Sequence, residues 1–154
     1  MILIAHRGNT KGPNKNLENT VSHIESAISD GYDVEIDIWG LGNYLYLGHD
    51  EANTKVDNSW LELHSGSLWI HCKNVTALSI MTGLSYNYFF HHTDAYTITS
   101  KGYVWAYPGN PPAGQSTIAV MPELFTGKRQ INLHKYAGVC SDFVGIMGFT
   151  DNES

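Results

Sequence analysis

The sequence predicts a single α/β domain spanning residues 1–154, a compact TIM-type βα barrel with shortened or missing outer helices. Three observations predict it. The order of elements is β-α-β at the start and then mostly β with brief connections. Several apolar runs end in polar groups, as parallel strands do where a site gathers at their C-terminal ends. The chain has 154 residues, enough for one core but short of the roughly 250 of an ordinary eight-fold barrel, so outer helices must be lost.

Met1 to Ala5 is a short apolar strand ending at His6-Arg7-Gly8. After a loop with Gly12 and Pro13, a helix is signalled by Asn16 or Asn19 as cap, Glu18 in the first turn, and apolar Val21, Ile24, Ala27 and Ile28. Gly31 closes it. Residues 32–38 form a second strand, and a turn at 40–43 leads into the extended segment YLYLGHD. A polar connection separates this from SLWIHCKN, a third strand ending in Lys73-Asn74, and VTALSIMTGL fits a short helix. NYFFHHTDAYTIT, GYVWAYPG, STIAVMP and VCSDFVGIM read as further strands.

In the second strand, residues two apart share a face, so Glu35 and Asp37 project together while Val34, Ile36 and Ile38 project the other way. Two adjacent buried carboxylates require a cation, a proton or a cationic side chain. Alone, the pair reads equally well as the solvated face of an antiparallel strand. The other strand ends change that: His6-Arg7, His49-Asp50, and His71 with Lys73, which repeat the i, i+2 spacing, would meet Glu35 and Asp37 at one barrel mouth. Carboxylates hold hard divalent cations, Arg and Lys meet phosphate oxygens, and two histidines can serve as base and acid. That inventory suits phosphodiester cleavage.

HRG at 6–8, ENT at 18–20 before a helix, EID at 35–37 and GHD at 48–50 lie in this order over the first half of the chain. Together they resemble the glycerophosphodiester phosphodiesterase family, within the wider group of phospholipase C-like phosphodiesterase barrels. The resemblance implies a TIM-type barrel, a divalent cation, and hydrolysis of a glycerophosphodiester to glycerol 3-phosphate and an alcohol. It makes His6 and His49 the acid-base pair, Arg7 and Lys73 the phosphate ligands, and Glu35 and Asp37 the metal ligands, with Glu18 and Asn19 bracing the first loop. The family usually places a carboxylate two residues before the lysine. Here the triplet is His71-Cys72-Lys73, so the third metal ligand implied is an imidazole. The cation expected is Mg²⁺, with Mn²⁺, Ca²⁺ or Zn²⁺ as alternatives, imidazole being the less usual partner of Mg²⁺. The second half lacks the family's pattern, so substrate specificity does not carry over.

In that half, neighbours His91 and His92 face opposite ways on a strand, so at most one joins the mouth, and His91 is assigned to substrate. Asp94 orients a histidine or holds a turn. Trp105 and Tyr107 share a face and either wall a pocket or fill the core. Glu123 faces the mouth if its strand is parallel. Ser141-Asp142 is read as closing the last strand against the first, with substrate contact as the alternative, and His23, His64 and His134 receive no role.

The formal charge of −6 with nine Lys+Arg excludes a nucleic-acid polymer or an anionic membrane surface as partner, leaving a small phosphodiester. No apolar run reaches membrane-spanning length, and the N-terminus reads as a short strand without a charged leader. Cys72 and Cys140 have no metal-knuckle or redox spacing and read as free buried thiols, so a cytoplasmic protein is expected. The rivals are a non-catalytic phosphate-binding barrel and a phosphodiesterase on another small diester.

Overall fold

The computed structural model describes residues 1–126, 130–132 and 134–150. The strands are β1 (Ile2–His6), β2 (Asp33–Leu41), β3 (Tyr44–Leu47), β4 (Thr54–Val56), β5 (Leu68–Cys72), β6 (Tyr88–Phe90), β7 (Tyr96–Ile98), β8 (Val104–Ala106), β9 (Thr117–Val120), β10 (Gln130–Asn132), β11 (Gly138–Ser141) and β12 (Gly148–Thr150). The helices are α1 (Val21–Ser29), α2 (Asn58–His64), α3 (Val75–Met81) and α4 (Glu123–Thr126).

The architecture is an open, mixed sheet of ten strands, not a βα barrel. β6, β5, β2, β1, β11, β9 and β8 run parallel in that order, and two antiparallel additions, β3–β4 on β2 and β7 on β8, break the βα alternation. Among the described residues no ladder joins β6 to β7. The bonds between these edges include Ser100 N to Tyr88 O, Tyr88 N to Ser100 Oγ and Thr97 Oγ1 to Phe90 O. A barrel of this kind has a crossover helix for each parallel pair; here the β3–β4 hairpin is inserted ahead of α2 between β2 and β5, and β7 stands in place of a helix between β6 and β8. β10 and β12 pair in a separate small parallel sheet.

β2 organises the molecule. Its first part pairs with β1 on one side and β5 on the other, and its last four residues pair with β3. Val34, Ile36 and Ile38 are fully buried against α1, α3 and neighbouring strands. The opposite face carries Ile4, Trp69, Phe89, Trp105 and Ile118 in a second core, with the polar groups above it. Phe89 and Trp105 meet at a centroid distance of 4.6 Å, so the sheet curls over this face.

Several predicted boundaries shift. Thr20, rather than Asn16 or Asn19, caps α1 by accepting from His23 N. The predicted strand from Asn87 divides into β6 and β7 around a turn, and the last predicted strand ends at Ser141. α2 and β4 occupy what reads as a polar connection. As expected, β11 pairs with β1, and Cys72 and Cys140 are free and buried. No helix among the described residues is long and apolar enough to cross a membrane.

Candidate functional site

Strand register builds the site. His6 pairs with Glu35 and Asp37 with His71 across β1, β2 and β5, so all four stand on one face near the strands' C-terminal ends. The loop after β1 adds Arg7, β3 leads to His49, and Lys73 follows β5 directly. With His91, these residues line one cavity of about 490 Å³.

Close approaches fix the local backbone. Gly48 has φ +152°, and a Cβ there would lie 1.9 Å from Glu51 O, so only glycine carries the chain tightly round to His49. A Cβ at Gly40 would stand 2.5 Å from Ala77 N. Asn74, which caps α3, instead reaches Gly40 with both ends of its amide, accepting from its N–H and donating to its carbonyl. This clamp holds β5 and Lys73 beside β2.

Arg7 has φ 55°, a strained value for a large side chain. Its N–H donates to Glu35 O and its carbonyl accepts from Asn19 N, which holds that conformation. The guanidinium donates to Glu18 Oε2 at 3.1 Å, and its Nε lies 3.2 Å from Asp37 Oδ2 without hydrogen-bond alignment. Asn19, also left-handed at φ 57°, donates to Asp37 Oδ2 and accepts from Asp37 N. Glu18 and Asn19 therefore brace the first loop in the way the resemblance implies.

His71 Nδ1 lies 3.1 Å from Asp37 Oδ1 and 3.9 Å from Glu35 Oε1, and Lys73 Nζ is 4.0 Å from Asp37 Oδ1. Burial alone would raise the Asp37 carboxyl, but His71, Arg7 and Lys73 hold it well below the usual carboxylate range. Glu35 moves the other way, pushed up by burial and by the Asp37 charge. One ligand atom from each of Glu35, Asp37 and His71 lies within 4.8 Å of the others, and among the described residues Glu35 Oε2 and His71 Nε2 are buried without a hydrogen-bond partner. An O, O, N donor set with two unpaired buried atoms fits a divalent cation.

His6 and His49 differ in setting. His6 Nδ1–H donates to Asp142 Oδ1 at 2.8 Å, and its Nε2 faces Glu35 Oε2 at 3.8 Å. Burial lowers the His6 pKa, but the Asp142 bond and the Glu35 charge outweigh it and leave it raised. Burial works to raise Asp142, yet His6 and Asn9 hold it low. His49 is more open, its side chain 41% exposed and its Nδ1 2.8 Å from an exposed Asp50 carboxylate.

Asp142, read from the sequence first as closing the last strand against the first, also stands at the candidate site. It both follows the strand that pairs with β1 and accepts from His6 and Asn9. Asn9 also donates to Glu18 Oε1, and its Oδ1 accepts from His23 Nε2–H, so His23 supports the site from behind. His92 is a correction. Because β6 ends at Phe90, strand alternation no longer separates the two neighbours, and both His91 and His92 line the cavity.

The far wall is aromatic. His91 stacks on Tyr107 at a 3.4 Å centroid distance, and Trp105 is both core and cavity wall. Burial and His71 push the His91 pKa down to about 4, so its ring is neutral at neutral pH. Among the described residues its Nδ1 and the Tyr107 hydroxyl are buried without a hydrogen-bond partner. Asp94 Oδ2 lies 3.8 Å from His91 Nδ1, and Glu123, at the start of α4, accepts from Ser141 Oγ.

Comparison with models of known families, with curated proteins and with solved structures finds no match for this chain.

Proposed function

We propose that this protein is a metal-dependent phosphodiesterase that hydrolyses a glycerophosphodiester-like small molecule to glycerol 3-phosphate and an alcohol. The observation that carries the reading is one cavity whose lining brings together His6 and His49, the cations Arg7 and Lys73, and the carboxylate pair Glu35 and Asp37 with His71 as a third potential metal ligand. The four motifs at 6–8, 18–20, 35–37 and 48–50 support it from the sequence.

Glu35, Asp37 and His71 would hold the divalent cation, which when bound supplies positive charge to the phosphate. Arg7 and Lys73 bind phosphate oxygens and stabilise the charge that develops there, usually the larger part of such catalysis. One of His6 and His49 accepts a proton from the nucleophile, either water or a neighbouring hydroxyl of the substrate, while the other donates to the leaving alcohol. Asp142 holds His6 in the tautomer whose Nε2 faces the cavity. The free, buried thiols Cys72 and Cys140, the former pushed up to about 12 by burial, suit the reducing cytoplasm in which we place this activity.

A non-catalytic phosphate binder is the second reading, favoured by the openness of His49. The test is glycerol 3-phosphate release from a panel of glycerophosphodiesters with Mg²⁺, Mn²⁺, Ca²⁺ or Zn²⁺ and with chelator. Metal-dependent turnover lowered at least about 10²-fold by His6→Ala and by His49→Ala is expected. Phosphate-ester binding without turnover in any condition, from folded protein, would select the binder.

A further inference from the structure

We infer that the alcohol released from the phosphodiester is apolar, aromatic or alkyl, and that it occupies a second cavity adjoining the phosphate site; the inference rests on the phosphodiesterase reading. This second cavity, about 260 Å³, shares Tyr107 and Val120 with the charged one, so the two abut across these side chains. Its other walls include Pro111, Ala119, Phe125 and Tyr136, and among the described residues none that lines it carries a formal charge.

Charge decides which end of the substrate goes where. Phosphate belongs with Arg7 and Lys73. Glycerol hydroxyls need polar partners, which a third cavity provides: it shares Arg7, His49 and Asp50 with the charged site and is otherwise lined by Lys15, Glu18, Asn53 and similar polar groups. The uncharged cavity would leave a cationic or polyhydroxylated alcohol without counter-charge or enough hydrogen-bond partners, at a cost that burying hydrocarbon avoids. Phe125 lies at the surface, 71% exposed, and a bound apolar group would cover part of its ring.

Tyr107 stands where the two ends join. Its ring is held against His91, while its hydroxyl is buried with no hydrogen-bond partner among the described residues. Burial and the charges of Glu35 and Asp37 raise the phenol's pKa, so it remains protonated and donates. An ester or phosphate oxygen of the substrate would accept that bond and satisfy an atom that proteins rarely leave unpaired.

The experiment compares glycerophosphodiesters carrying ethyl, benzyl, octyl and choline alcohols, all unactivated leaving groups, by initial rates of glycerol 3-phosphate release. The benzyl or octyl ester should exceed the ethyl and choline esters in kcat/KM by at least roughly tenfold, and which of the two leads separates an aromatic from an alkyl occupant. Phe125→Ala, at an exposed position that tolerates change, should shrink that advantage severalfold. Tyr107→Phe keeps the ring and should lower kcat/KM on every ester. Equal rates on ethyl and the larger apolar esters, or an advantage that survives Phe125→Ala, or preference for choline, would overturn the inference while leaving the phosphodiesterase reading intact. Turnover of none of the four would remove both.

Discussion

The two walls of the central cavity are finished differently. On the charged wall, Asp37 meets Asn19, Arg7, His71 and Lys73, Arg7 meets Glu18, and His6 meets Asp142. On the aromatic wall, His91 and Tyr107 stack on each other, and among the described residues the His91 Nδ1 and the Tyr107 hydroxyl have no hydrogen-bond partner, just as Arg7 Nε, Glu35 Oε2 and His71 Nε2 have none on the charged wall. One wall is preorganised by the protein's own charges, the arrangement that electrostatic catalysis requires, and the other is held by ring stacking. Buried polar atoms are normally satisfied, so the open atoms on both walls mark capacity kept for something that enters.

Breaking the charged wall at its centre should have the largest effect. Asp37 is 1% exposed and offsets three cationic or protonatable side chains. Asp37→Ala takes from Arg7 one of its carboxylate neighbours, leaving Glu18 and the charge of Glu35, and removes a potential metal ligand. Stability should fall by about 3 kcal/mol, the order expected when one partner of a buried pair is removed, and phosphodiesterase turnover by at least about 10³-fold. Urea unfolding and metal titration of the folded variant measure the two losses separately. A variant of wild-type stability would show that the wall is not held together through Asp37.

Asp142→Asn tests a single bond on the same wall. The amide preserves shape but can present its NH₂ to His6 Nδ1, favouring the other tautomer and turning Nε2–H toward the cavity. We expect kcat to fall by about 10²-fold with KM little changed, whereas a purely structural role would show only in the unfolding midpoint. Nitrogen-15 shifts of the His6 ring report the tautomer directly. An unaltered ring with unaltered kcat would remove Asp142 from the mechanism.

Part of this wall was legible in the sequence and part was not, for reasons of range. The common face of Glu35 and Asp37 follows from strand periodicity, and the i, i+2 pair His71 and Lys73 follows likewise. Asn19 read as a helix cap because Asn serves equally in caps and in left-handed turns, and only its contact with Asp37, 18 residues away, decides between them. The His6–Asp142 bond spans 136 positions, and no local pattern encodes it. The barrel expectation failed at the hairpins. Short strands with turns predict strand number, but whether YLYL and YTI return antiparallel depends on partners that the local sequence does not name.

A matched pair of substitutions sharpens the contrast between the walls in stability alone. Asn19→Ala removes two hydrogen bonds to Asp37 and places Ala at φ 57°, so a loss of roughly 1–3 kcal/mol is expected. Tyr107→Phe removes a hydroxyl with no hydrogen-bond partner among the described residues, so the metal- and ligand-free protein should unfold within about 0.5 kcal/mol of wild type or be slightly more stable. Urea midpoints of both variants give the comparison. If Tyr107→Phe cost as much as Asn19→Ala, the aromatic wall would be structural and its open atoms no guide to a ligand.

The smallest effect lies behind the charged wall, at His23. Burial lowers its pKa from the ordinary 6.5, with Glu18 opposing. The folded protein therefore takes up this proton later than the unfolded chain does as pH falls. Its stabilising contribution is complete above pH 6.5 and is lost as pH falls from there through the lowered folded-state value. His23→Gln keeps an amide that can donate to Asn9 Oδ1 and does not titrate. Urea midpoints measured from about pH 7.5 down to about pH 5 should fall more steeply for wild type than for His23→Gln, the two converging toward the acid end. Parallel curves would mean that Glu18 compensates burial fully and that the support behind Asn9 is insensitive to this proton.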